Sequence, residues 1–178
     1  MSRYAIGIDL GTTHSAVSYL NLEGGQARGP AQSMLPIPQL TAPGTVEART
    51  LLPSFLYLPG AQEFPPGSLA LPWNPNAPAL VGEFARTHGA KVPTRLVSSA
   101  KSWLSHPGVD RRGALLPWQA PEEVQRVSPV EAATRYLRHL REAWDHTFAR
   151  AREDAGNAMA AQDVILTVPP RSMPPRGT

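Results

Sequence analysis

The 178-residue chain suits one domain or two small ones, and a 42% hydrophobic share is enough to build a core. A formal net charge of +3 is too small an excess to point to nucleic acid, and with no cysteine the chain can form neither disulfides nor thiolate metal sites. Its 20 prolines, roughly twice the usual share of about 5%, predict long connections between elements.

Met1-Ser2-Arg3-Tyr4 runs straight into an apolar strand pattern, with no basic start and sustained apolar stretch of a secretory leader. Nothing approaches the roughly 18 consecutive apolar residues of a membrane span. The expectation is a soluble cytoplasmic protein without a membrane or nucleic-acid partner.

Tyr4 to Leu10 reads as a buried strand that ends in turn chemistry at Asp9-Leu10-Gly11-Thr12-Thr13. Ser15 to Leu20 reads as a second strand, and the short gap makes the pair an antiparallel hairpin. Gly24-Gly25 marks the next turn. A third strand is expected around Ala31 to Ile37, weakened by Pro36 and Pro38, and another after Pro53, through Tyr57 and Leu58. Pro59 to Pro78, rich in Pro, Gly, Ala and Asn, predicts an extended, mobile surface loop. A short strand at Leu80-Val81-Gly82, short helices at Glu83 to His88 and Ser98 to Leu104, and an irregular stretch from Gly108 to Pro121 follow.

The strongest helix signal runs from Pro129 to about Arg152. Ser128 is a good N-cap, Pro129 fits the first helical position, and Glu131 completes a Ser-x-x-Glu capping box. Val130, Ala133, Leu137, Leu140, Trp144 and Phe148 recur at spacings of three and four, which predicts one apolar face. Asp163 to Val168 reads as a buried strand closed by Pro169-Pro170.

The chemistry concentrates in Ile6-Gly7-Ile8-Asp9-Leu10-Gly11-Thr12-Thr13-His14-Ser15. A glycine at the turn lets main-chain N–H groups approach an anion, and hydroxyls at Thr12 and Thr13 can donate to phosphate oxygens. A carboxylate at the strand end suits Mg²⁺, which keeps several waters and takes one or two carboxylates plus phosphates. No Gly-Lys-Ser/Thr follows, so this is not a Walker loop. Asp, Gly and Thr are also ordinary turn residues, and spacing alone leaves an ordinary hairpin turn equally open. The five histidines have no metal-site spacing.

The stretch from Ile6 to Ser15 resembles the first phosphate motif of the actin, sugar-kinase and DnaK-type ATPases. Its Gly-Ile-Asp-Leu-Gly-Thr-Thr-x-Ser form is most similar to the DnaK-type (seventy-kilodalton heat-shock) chaperones. Further similarities follow in that family's order. They are Leu52-Pro53-Ser54-Phe55, Val81-Gly82-Glu83-Phe84-Ala85-Arg86 and Val97-Ser98-Ser99-Ala100-Lys101, then Ser128-Pro129-Val130-Glu131 and Val164-Ile165-Leu166-Thr167-Val168-Pro169. The resemblance spans nearly the whole chain, and the order of the motifs is more specific than any one of them.

The resemblance implies an α/β fold of the actin-like ATPase (ribonuclease H-like) type: a mixed sheet with helices, forming an incomplete first lobe plus a small inserted subdomain. Residues 1–38 and 122–170 would form the lobe core, 39–121 the inserted part with its proline-rich loop, and 171–178 an aberrant tail. By position, Asp9 would orient the Mg²⁺ shell, while Gly11, Thr12, Thr13 and the His14 backbone would hold the phosphates of ATP or ADP. Lys101 would place the attacking water and stabilise charge on the γ-phosphate. His14 departs from the family's usual Asn or Tyr, and Trp103 stands where an aliphatic residue follows a missing Arg. The parent would be an ATP-hydrolysing chaperone acting on unfolded polypeptide clients with co-chaperones. Its second phosphate motif, adenosine-binding segment and peptide-binding domain would lie beyond Thr178, leaving this part inactive alone. The rival readings are an actin-like filament protein, a sugar-kinase-type phosphotransferase, and a non-catalytic truncated module.

After Val168-Pro169-Pro170 the family has Ser-Phe-Asp and then a helix start with Ala and Arg. Codons for Arg171 to Thr178, re-read with one base restored before Arg171, permit Ser-Phe-Asp-Ala-Ala-Ala-Arg-Asp. The expectation is that the last eight residues come from a frameshift.

Overall fold

The computed structural model describes residues 2–23, 31–118, 120–150 and 152–167. The turn expected at Gly24-Gly25 and the tail expected at 171–178 lie outside these residues. The fold is mixed α/β. In chain order the strands are β1 (Tyr4–Leu10), β2 (His14–Asn21), β3 (Ser33–Met34), β4 (Ile37–Ala42), β5 (Thr45–Arg49), β6 (Leu52–Pro53), β7 (Phe55–Tyr57), β8 (Leu80–Val81), β9 (Leu96–Ser98) and β10 (Asp163–Thr167). The helices are α1 (Glu83–Gly89), α2 (Ala100–Ser105) and α3 (Pro129–Phe148).

Alternation along β1 sorts its side chains by face. Ile6, Ile8 and Leu10 are buried, while Ala5, Gly7 and Asp9 point to the other side. β1 pairs antiparallel with β2, Asp9 opposite Ala16 and Leu10 opposite Ser15, and parallel with β10, Asp9 opposite Thr167. The far edge of β2 is shared: β3 pairs with its Ser18 and Tyr19, and β6 with its His14 and Ser15. β7 continues from β6 into a second sheet, between β8 and β9. β4 and β5 form a separate hairpin with Gly44 at φ 71° in its turn.

α3 covers the apolar face of the first sheet. Leu140, Ala143 and Trp144 pack with Ile6, Ile8, Val17, Leu35 and Leu52. Trp144 also sits in an aromatic group with Tyr4, Tyr19 and Phe148, with ring centroids 4.3–5.3 Å from the Trp144 ring. Full burial of such side chains stabilises by roughly 1.5–3 kcal/mol each. The buried face differs from the expected stripe at one end: Val130 is 39% exposed, and Ala132, Tyr136 and Ala143 take the core positions. Ser128 Oγ accepts from the Glu131 N–H at 3.0 Å, as its spacing predicts. The capping box stays half made, because the Glu131 carboxylate turns one helical turn on, to Arg135 at 2.6 Å.

α3 ends at Phe148, short of Arg152, because the chain doubles back. Trp144 Nε1 donates to Asn157 O at 2.9 Å, and Asp145 Oδ1 accepts from Met159 N at 2.8 Å. Gln162 then ties this return to the start of β1. Its Oε1 accepts from the Arg3 and Tyr4 N–H groups at 3.0 Å each, and its Nε2 donates to Gly156 O at 2.7 Å.

The strand expected to be buried at its C-terminal end is exposed throughout: Val164 is 43%, Ile165 71% and Leu166 37% exposed. β10 is the edge of the sheet, and among the described residues no strand pairs with its outer side. α3 does not close over it either, leaving a groove of about 420 Å³ lined by Leu137, Arg138, Met159, Val164 and Leu166.

The proline-rich loop is anchored rather than free. Glu63 Oε1 accepts from Tyr57 Oη at 2.5 Å and meets His88 Nε2 at 2.8 Å, while Oε2 accepts from Gly60 N at 2.8 Å. Partial burial alone would raise the Glu63 pKa, but these hydrogen bonds prevail and hold it below the usual carboxylate range. Phe64, Leu69 and Leu71 add apolar packing against Phe84 and Leu80. Glu63→Ala should therefore destabilise by about 2 kcal/mol, because it strands the hydroxyl of the fully buried Tyr57. A lowered urea midpoint with faster proteolysis inside residues 59–78 checks this, and an unchanged cleavage rate refutes the clamp.

Candidate phosphate-binding turn

The turn between β1 and β2 is built by close backbone approach. A Cβ on Gly11 would stand 2.0 Å from the His14 carbonyl oxygen, so only glycine fits this path. Thr12 and Thr13 are exposed, and His14 is half-buried as the first residue of β2, opposite Pro53.

The turn is held from its buried side by Ser54, itself 1% exposed. Ser54 Oγ donates to Gly11 O at 2.9 Å, and Ser54 N donates to Thr13 O at 2.9 Å. Ser15 Oγ lies 2.9 Å from Ser54 Oγ. Two of the three turn carbonyls, those of Gly11 and Thr13, thus have donors inside the protein. Among the described residues the N–H groups of Thr12 and Thr13 have no acceptor. Exposed N–H groups and hydroxyls, with the Gly11 and Thr13 carbonyls bonded inside the protein, make a surface that favours an anion.

Asp9 is the penultimate residue of β1, on the sheet face opposite α3. Its carboxylate is exposed, and Oδ1 accepts from Thr167 Oγ1 at 2.9 Å. Around it the sheet carries small side chains, Gly7, Ala16 and Ser18, which leave a cavity of about 310 Å³ floored by them and walled by Met34 and Ile165. Asp9 and Thr167 lie at the carboxyl ends of two parallel strands, the usual position for ligands in open sheets. Among the described residues no group of three or more His, Asp or Glu side chains is placed to hold a metal ion. One exposed carboxylate beside hydroxyl donors fits a largely hydrated Mg²⁺ that takes its remaining ligands from phosphates.

Lys101 comes from a separate element, the first turn of α2, and is half-buried. Among the described residues it makes no side-chain hydrogen bond and no ion pair. The helix starts later than expected, because Leu96–Ser98 pairs with β7 and Ser99 sits at φ 54°, in the left-handed region. A non-glycine residue there is uncommon and strained, and such strain collects at functional sites. The structure therefore places Asp9, Gly11, Thr12, Thr13 and His14 at one end of the β1–β2 hairpin. It links Lys101 to that turn through residues 52–57, whose Pro53 pairs with His14 and whose Phe55 pairs with Ser98. Trp103, which stands where the resemblance has an aliphatic residue, lies against His106 and the exposed Trp118 at centroid distances of 5.7 and 5.1 Å.

Sequence reasoning singled out Pro53-Ser54 only as a similarity and gave Ser54 no role. The polar residue inside the apolar run Leu51 to Leu58 was the available signal, since buried hydroxyls need partners. Among the described residues no helix is long and apolar enough to cross a membrane. No protein-family model matches this chain, and neither does any curated protein.

Proposed function

We propose that the chain carries the phosphate-binding part of an ATP-hydrolysing, DnaK-like chaperone with an actin-like ATPase fold. The observation that supports this reading most is the turn itself. Its Thr12 and Thr13 N–H groups are open, its Gly11 and Thr13 carbonyls are held by Ser54, and Asp9 stands exposed two residues before Gly11. Thr12 and Thr13 donate to phosphate oxygens, and Asp9 accepts from water in the shell of Mg²⁺. Bound Mg²⁺ would neutralise charge between the β- and γ-phosphates. Lys101, short of partners and presented by a strained residue, supplies the cation that orients water and offsets γ-phosphate charge. Unfolded polypeptides, co-chaperones and a cytoplasmic setting belong to the same reading.

The test is an amide-resolved titration with Mg-ATP. Shifts should concentrate at Gly11 to His14, with a dissociation constant on the order of 1 mM, or about 4 kcal/mol, from a single binding turn. Asp9→Asn should abolish the dependence of these shifts on Mg²⁺. A spectrum whose Gly11 to His14 amides stay still at saturating Mg-ATP would refute the proposal.

A further inference from the structure

Residues 11–13 form a short turn, and short turns have several ways to satisfy their peptide groups. For an anion the choice matters, because a carbonyl oxygen repels what an N–H attracts. Here two of the three turn carbonyls are claimed by a single distant residue, Ser54, through its hydroxyl to Gly11 O and its N–H to Thr13 O. Since the Ser54 hydroxyl hydrogen is used on Gly11 O, Ser15 must donate to Ser54 Oγ across their 2.9 Å contact. The order of donors is therefore Ser15 to Ser54 to Gly11, in a site where both serines are 1% exposed. A buried hydroxyl pair of this kind is worth keeping only if all its members are satisfied.

The same short segment reaches further. Directly after Ser54, Phe55 pairs with Ser98, which precedes the left-handed Ser99 and Lys101. The segment around Ser54 is thus paired on one side to the turn's flank and on the other to the strand before Lys101.

We infer that Ser54 is the positioning residue of the phosphate turn: it holds the Gly11 and Thr13 carbonyls on the buried side, so that the Thr12 and Thr13 N–H groups face the ligand. This rests on the phosphate reading of the turn. Ser54 touches no ligand, and its effect passes through the turn backbone.

The test uses the whole chain, with Mg-ATP as the probe, and compares Ser54→Ala with Ser15→Ala. Each removes one buried hydroxyl from the same pair, so both should lower the urea midpoint. Only Ser54→Ala frees a turn carbonyl. It should weaken Mg-ATP binding by about tenfold per folded molecule and change the direction of the Thr12 and Thr13 amide shifts on titration. Ser15→Ala should keep wild-type affinity. If Ser54→Ala does not fold, Ser54→Cys, nearly isosteric with a weak donor, carries the same comparison. Wild-type affinity in Ser54→Ala, or equal weakening in Ser15→Ala, overturns the inference. A wild-type chain blind to Mg-ATP overturns the phosphate reading instead, and the two failures are thereby distinct.

Discussion

Gly11→Ala should destabilise the protein by more than about 3 kcal/mol, or prevent folding outright. The added methyl would meet the His14 carbonyl oxygen at 2.0 Å and its carbon at 3.2 Å, both main-chain atoms. A flexible side chain could swing away, but this carbonyl cannot move without opening the β1–β2 connection. That connection also anchors the Ser54 hydrogen bonds, so the damage would spread to β6. Gly156→Ala is the control, since nothing lies within 4 Å of its added carbon. It should change stability by less than about 0.5 kcal/mol. Urea unfolding of the two variants checks the pair, and a Gly11→Ala midpoint close to wild type would show that the turn is not as tight as described.

Acid should weaken the fold through His139. The imidazole is 4% exposed, its Nε2 donates to Pro38 O at 2.9 Å, and Trp73 packs edge-on at 5.2 Å. Burial disfavours the charged ring and lowers its pKa to about 4, against the smaller opposing effect of the Pro38 carbonyl. The unfolded chain keeps a pKa near 6.5, so between these values it binds a proton that the native protein excludes. The stabilisation is therefore complete above about pH 6.5 and is lost as pH falls towards 4, by up to about 3 kcal/mol. His139→Gln keeps a donor for Pro38 O and cannot titrate. Unfolding free energies measured from pH 7 to 4 should fall less steeply in this variant, and equal slopes would remove His139 as the cause.

Elements whose signal is local were legible in the sequence. β1, β2, α1 and the N-cap of α3 follow from alternation, from turn residues and from Ser128-Pro129, all read within a few positions. The hairpin of β4 and β5 was hidden because Pro36 and Pro38 argue against a strand, although Pro38 stands in β4 and lends its carbonyl to His139. What could not be read are the contacts that join distant segments. Ser54 reaches Gly11 across 43 positions, Gln39 accepts the Glu83 N–H across 44, and Gln162 holds Arg3 across 159. No periodicity encodes such pairs. Their trace is a polar residue inside an apolar run, which says that a partner exists but not which one. The same holds for the candidate site: Asp9, Gly11, Thr12 and Thr13 announce themselves as a group, whereas the residue that orients them does not.

The outer side of β10, unpaired among the described residues, sets the terms on which binding can be measured. An open strand edge offers a row of peptide groups to any second molecule, and the uncovered Val164, Ile165 and Leu166 side chains favour the encounter. That encounter is second order in protein, while the nucleotide binding proposed for the turn would be first order. Titrations at a single protein concentration would fold the two equilibria into one apparent constant. Dilution is thus an independent axis of the experiment, and on the proposed reading the value reached in the dilute limit would belong to the turn.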